Sequence, residues 1–119
     1  MGIEERRFMN NRIFGKAGET LAAEYLEQSG YRILARNYWC RMGEIDIVAQ
    51  KGNCVHFVEV KTRTGSFYGN PSESVTRHKT ERMRLAAESY LKAFAGLPGL
   101  GRKAQFDLIE IELRHTENI

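Results

Sequence analysis

The chain has 119 residues, with 28% charged and 42% hydrophobic side chains, two prolines and eleven glycines, a length and balance suited to one folded domain with one modest core and no separate recognition module. Eighteen Lys and Arg against fifteen Asp and Glu give a formal charge of +3, which permits phosphate binding without requiring it. No stretch approaches the roughly 20 apolar residues that cross a bilayer, the opening MGIEERRFMNNRIFGK lacks the apolar run of a secretory signal, and neither Cys40 and Cys54 nor His56, His78 and His115 show metal-site spacing; the expectation is a cytoplasmic protein with free thiols.

Residues 1–14 show no sustained periodicity and read as a flexible basic N-terminal arm, with Arg6, Arg7 and Arg12 able to touch a phosphate backbone. A helix is expected from about Gly15 to Ser29, with Leu21, Ala22, Tyr25 and Leu26 as its buried stripe and Gly30 as a left-handed cap. Glu19 lies one turn before Ala22 and Ala23, close to that stripe. By position alone, interaction with the helix dipole accounts for it. Tyr31 to Trp39 reads as a strand with one mixed face, and Gly43 permits a turn or a close backbone approach on entry to the next strand.

Two alternating runs, GEIDIVAQ and CVHFVEVKTR, flank Lys51-Gly52-Asn53 and read as an antiparallel hairpin. Ile45, Ile47 and Ala49 alternate with Glu44, Asp46 and Val48, and Val58 and Val60 alternate with Phe57, Glu59 and Lys61. Charges thus interrupt strands that otherwise look buried, where a lone charge costs several kcal/mol, roughly. Asp46 and Glu59 can converge as hard oxygen ligands for magnesium or manganese, with Lys61 on the same face as Glu59. Cross-strand salt bridges between surface charges are the competing explanation. Glu44 shares the expected face of Asp46, or pairs with Arg41 or Lys61.

Thr62 to Ser74 is expected as a loop, with Ser66, Phe67 and Tyr68 exposed. Asn70-Pro71 forms a helix entrance with Glu73 as capping partner, and onset falls between Pro71 and Thr76. The helix continues to about Phe94, with Val75, Lys79, Arg82 or Met83, Ala86, Tyr90 and Phe94 along one side. Arg63, Arg77, Lys79 and Arg82 form a candidate phosphate-binding set, although long cationic stems also cover cores with their tips in water. Gly96 to Gly101 ends the helix, and Ala104 to Leu113 supplies a final strand, buried early and emerging later. Residues 114–119 read as a frayed tail. A helix before the last strand makes the sheet mixed and the fold class α/β.

GEIDIVA followed by VEVKTR, preceded by Gly18-Glu19, Ala22-Ala23, Tyr25-Leu26, Gly30-Tyr31, Ile33-Leu34 and Arg36-Asn37 and followed by Lys79 and Arg82, resembles the UPF0102 family. These are small bacterial endonuclease-like proteins related to Holliday junction resolvases, within the PD-(D/E)xK nuclease superfamily. The resemblance covers nearly the whole chain and implies a restriction-endonuclease-like mixed sheet flanked by helices, over residues 15–113. It implies metal-dependent hydrolysis of DNA phosphodiester bonds, with structured or branched DNA as partner, Mg2+ or Mn2+ as cofactor, and a homodimer by analogy with resolvases. It also implies that Glu19 completes a metal site made by Asp46 and Glu59, with Lys61 as the catalytic cation. A non-catalytic nucleic-acid-binding protein on the same scaffold and a protein-interaction domain are the alternatives.

Overall fold

The computed structural model describes residues 2–64 and 77–119. Helix α1 (Ile3–Gln28) leads into three successive strands, β1 (Arg32–Cys40), β2 (Gly43–Lys51) and β3 (Cys54–Thr64). Helix α2 (Arg77–Phe94) and strand β4 (Lys103–Leu113) complete the fold. The sheet runs β1-β2-β3-β4. Both hairpins are antiparallel, whereas β4 joins β3 in parallel, from Cys54 opposite Lys103 to Thr64 opposite Leu113. A parallel neighbour requires a crossover, which contains α2. The result is the expected α/β arrangement, a mixed sheet flanked by helices and consistent with a restriction-endonuclease-like core. Among the described residues, no helix is long and apolar enough to cross a membrane.

Burial on both faces explains why β2 and β3 read as nearly continuous apolar runs. On one face Ala22, Ala23 and Leu26 of α1 pack against Ile47, Ala49, Val58 and Val60. On the other, Ala86, Ala87 and Tyr90 of α2 pack against Ile45, Val48, Val55 and Phe57. Two side chains expected in the α1 stripe are not there: Leu21 is 53% and Tyr25 60% exposed. The contact face is made of small residues instead, with Gly18, Ala22 and Leu26 spaced by one turn and all buried. A Cβ at Gly18 would stand 2.1 Å from Thr62 Oγ1, so the absent side chain lets α1 lie directly on β3.

The helix also begins earlier than Gly15. Residues Ile3 to Phe14, expected as an arm, are helical. Their sequence contains no proline, Glu4 and Glu5 occupy the favourable first turn, and Gly15 has nothing within 4 Å of its would-be Cβ, so it interrupts nothing sterically. At the other end the expected cap is present. Gly30 has φ +90°, its N–H donates to the Glu27 carbonyl at 3.1 Å, and Tyr31 N–H donates to the Leu26 carbonyl at 2.9 Å, the two bonds of a Schellman ending.

Strand β3 continues through Thr64, so Thr62 to Thr64 belong to the sheet rather than to the expected loop. The remaining loop and helix-entrance expectations, from Gly65 to Thr76, lie outside the described residues. Strand β4 departs from the sequence reading too: its first four residues are exposed, and Phe106 is 48% exposed, because β4 stands at one end of the strand order. Its Asp107 Oδ2 lies 2.6 Å from Nδ1 of buried His56, while Gln105 Nε2 donates to the other carboxylate oxygen at 2.7 Å. Arg114 to Ile119 follows the last strand without secondary structure.

Candidate active site

The site forms where regular strand alternation stops. Arg36 pairs with Ile47 and Tyr38 with Ile45, yet Ile47 joins the α1-side core and Ile45 the α2-side core. Residues two apart in a regular strand share a face, so both strands turn over between these pairs, at Asn37 and Asp46. Asn37 has φ +52°, the left-handed region that asparagine tolerates better than most side chains. The β2–β3 ladder also ends here, at Ile47 opposite Val58. Beyond it, Val60 N–H donates to Asp46 Oδ2 at 2.8 Å, so a side-chain carboxylate satisfies a strand amide past the end of the ladder.

This break brings Asp46 beside Glu59, close enough for the two carboxyls to interact electrostatically. Burial, opposed by the Val60 hydrogen bond and reinforced by the charges of Glu59 and Glu19, pushes the Asp46 carboxyl up to about 7. Glu59 is itself buried, at 6% exposure. Lys79 from α2 forms an ion pair with its Oε1, and Lys61 Nζ lies 3.4 Å from the same oxygen. Partial burial and the adjacent Lys79 lower the Lys61 ammonium pKa. For Lys79, burial acts downward, but the bond to Glu59, the contact with Lys61 and the negative charges of Glu59 and Asp46 together outweigh it and its pKa rises.

Glu19 reaches the same region from α1 through Asn37. With its nitrogen turned toward the acids, the Asn37 amide donates to Glu19 Oε2 at 3.1 Å and Glu44 Oε1 at 3.3 Å. Burial raises the Glu19 pKa, the Asn37 bond opposes this, and Glu44 adds repulsion. Glu44 thus stands beside another acid, Glu19, across the Asn37 amide. Gly43, Glu44, Asp46, Glu59, Lys79, Arg82 and Met83 line an open cleft of about 270 Å³.

Among the described residues, no group of three or more His, Cys, Asp or Glu side chains is arranged to hold a metal ion. The chemistry of the donor set nevertheless fits a hard divalent cation. Two carboxyls in one cleft are what such an ion neutralises, and Glu19 is a third oxygen donor within electrostatic reach of Asp46. Asp46 and Glu59 are therefore together, whereas Glu19 is held toward Asn37 and Glu44.

Of the expected phosphate-binding cations, Lys79 and Arg82 line the cleft, while Arg77 and Arg63 are not among its lining residues. Lys79 faces Glu59, Arg82 Nε donates to the Met42 carbonyl at 3.1 Å, Arg77 is exposed, and Arg63 is half-buried on β3 opposite Glu112. Sequence reasoning missed the bridging role of Asn37. An asparagine within a run rich in strand-forming residues was the available signal, because its low β propensity and tolerance of positive φ mark a break.

Residues 18–111 match the sequence profile of "Uncharacterised protein family UPF0102". A UPF0102 protein of Symbiobacterium thermophilum is 48% identical over 104 residues, covering 87% of this chain and 85% of the relative. One of Pelotomaculum thermopropionicum is 42% identical, covering 90% of this chain and 94% of the relative. A third, of Moorella thermoacetica, is 46% identical over 93% and 90% respectively. Glu19, Asp46, Glu59 and Lys61 all fall inside the matched span, and this chain belongs to the UPF0102 family.

Proposed function

We propose that the protein is a Mg2+- or Mn2+-dependent endonuclease that hydrolyses DNA phosphodiester bonds, with Asp46, Glu59 and Glu19 as metal ligands and Lys61 as the catalytic cation. The observation that carries this reading is the Asp46–Glu59 pair, which lines one cleft just past the end of the β2–β3 ladder and is flanked by two lysines. A hard divalent ion bound there supplies charge neutralisation at the phosphate and acidifies a water molecule. Asp46 is aimed by Val60 N–H and Glu19 by Asn37. Lys61 holds positive charge at the mouth of the pair, where charge grows on the phosphate during hydrolysis. Lys79, paired with Glu59 and lining the same cleft, would place a second cation beside a substrate phosphate. A reducing cytoplasmic setting fits the free Cys40 and Cys54 thiols.

The test uses branched, flapped, nicked, single-stranded and plain duplex DNA, each with Mg2+, Mn2+ or chelator. Cleavage that requires the ion and falls at least about a hundredfold in Lys61→Ala, and further in Glu59→Gln and Asp46→Asn, supports the assignment. Cleavage surviving in all three folded variants overturns it. The Lys79–Glu59 ion pair also favours a second reading: a lysine satisfying the acid permanently would leave a nucleic-acid-binding protein without catalysis. Calorimetry showing DNA binding but no Mn2+ binding to the wild type would select that reading.

A further inference from the structure

The end of strand β1 carries an aromatic side chain that the cores do not use. Trp39 is the chain's one tryptophan and is 73% exposed. Its ladder partner is Glu44, which places both side chains on one face with Cβ atoms about 4.5–5.5 Å apart. Glu44 lines the cleft together with Asp46 and Glu59. The indole therefore stands beside the acidic cleft, on the outer strand of the sheet.

This position is held firmly relative to the carboxylates. Arg82, itself a lining residue, donates from Nε to the Met42 carbonyl at 3.1 Å. Gly43 approaches α2 so closely that a Cβ there would lie 3.2 Å from the Arg82 carbonyl oxygen. The turn is thus clamped onto α2, with Arg41 exposed beside Trp39 and Met42 half-exposed. An aromatic face next to cationic side chains matches a nucleobase and its phosphate, since every base offers a π-face for stacking. A base inside a continuous duplex has both faces covered by its neighbours, so the platform fits only a base outside the stack.

Resting on the endonuclease reading above, we propose that Trp39 is a stacking platform for an unpaired base beside the scissile phosphate, and that the site takes nucleic acid with single-stranded nucleotides rather than continuous duplex. A second copy of the chain is the poorer occupant. A stable interface covers about 800 Å² per partner, whereas the exposed apolar groups here are Trp39 and Met42, set among Arg41, Glu44 and Arg82.

Because Trp39 is the sole tryptophan, its emission reports on this position independently of cleavage. The 119-residue chain in chelator is titrated with oligothymidylate, with a closed-ended dumbbell duplex, and with the same duplex bearing a single-stranded flap. Saturable quenching by oligothymidylate and the flap, with little response to the dumbbell, is expected. Anisotropy of labelled strands should show Trp39→Ala weakening flap and single-strand binding roughly tenfold or more, with dumbbell affinity unchanged and Trp39→Phe retaining most of the binding. Circular dichroism checks that both variants fold.

Equal quenching by the dumbbell, no emission change on binding, no binding of single strands, or unchanged affinity in Trp39→Ala would each overturn the proposal. Sedimentation revealing self-association that Trp39→Ala abolishes would assign the patch to a second copy instead. The two readings fail separately. Quenching without cleavage of any substrate defeats the endonuclease and leaves the platform; cleavage dependent on Asp46 and Glu59 with an unresponsive Trp39 defeats only the platform.

Discussion

Asp46 answers two demands at once: it closes the backbone at Val60 and places a charge beside Glu59. With its pKa at about 7 in the fold and about 4 in the unfolded chain, the folded state holds an extra proton between those values. Stability therefore falls as pH rises through that window, and the deficit is complete above it. Solvent reaching this partly exposed carboxyl reduces the magnitude. Asp46→Asn retains an acceptor for Val60 N–H and removes the charge. In chelator, urea unfolding should give this variant a flatter profile from about pH 4 to about pH 7 and higher stability than wild type above that range. An unchanged slope would place the titration elsewhere. At Gly18 the issue is steric, since a new methyl would meet Thr62 Oγ1 at 2.1 Å and Thr62 Cβ at 3.2 Å. Overpacking of about 1–3 kcal/mol outweighs the roughly 1 kcal/mol helix-propensity gain of Gly→Ala. Gly18→Ala should destabilise the protein, and should do so less in a Thr62→Ala background. Strict additivity of the two substitutions in chemical denaturation would contradict direct contact.

Helix α2 reaches both the core and the site, and its aromatic end anchors it. Tyr90 meets Tyr38 and Phe57 edge-on at centroid distances of 5.2 and 5.9 Å and lies tilted on Phe94 at 4.5 Å, while the Tyr38 hydroxyl is 3.0 Å from Ser89 Oγ. Tyr90→Ala should cost about 3–5 kcal/mol, as for other large aromatic truncations, and Tyr90→Phe much less. Urea midpoints give both, and a small loss for Tyr90→Ala would mean that the cluster collapses around the gap. Such elements were legible because their periodicity survives in the fold: the β2–β3 hairpin, the Gly30 cap and the α2 stripe all follow from spacing. The turnover at Asn37 and Asp46 was not, because the alternation rule assumes an uninterrupted strand and assigns Ile45 and Ile47 to one face. Leu21 and Tyr25 misled for a related reason. Hydrophobicity marks a stripe, but close helix–sheet contact selects small side chains, and Gly18 carries no hydrophobic signal. Along β4, apolar pattern cannot tell an inner strand from an outer one. Asp46, Glu59 and Lys61 were recognisable as acids and a base in apolar strands, whereas the Lys79–Glu59 contact required the packing of α2 on the sheet.

At the scale of the molecule, the site draws on five of the six elements among the described residues: Glu19 from α1, Asn37 from β1, Asp46 from β2, Glu59 and Lys61 from β3, and Lys79 and Arg82 from α2. A net charge of +3 is too small to bind nucleic acid by overall attraction alone, so local arrangement must decide affinity. Near the cleft the acids are balanced from α2. Lys79 is engaged with Glu59, Arg84 pairs with Glu81 and Glu88 away from it, and Arg82 and exposed Arg77 remain as the α2 cations placed to meet a backbone. Each phosphate neutralised releases condensed counterions and contributes a slope of about 0.9 to the dependence of log affinity on log salt concentration for duplex. Arg77→Gln combined with Arg82→Gln should therefore weaken binding to flapped duplexes of unrelated sequence alike. The salt slope should shrink by as much as about 0.9 for each cation. Sequence-independent weakening is expected because phosphate contacts position a strand without reading its bases. Arg82 also ties Met42 to α2, so the measurement pairs each single variant with a melting curve, separating loss of a phosphate contact from loosening of the turn. Arg77→Gln has no such structural role among the contacts described, and alone should lower the slope by about one phosphate equivalent. An unchanged slope in both folded single variants and in the double variant would move the backbone path away from α2, toward Arg63 and the basic residues of α1.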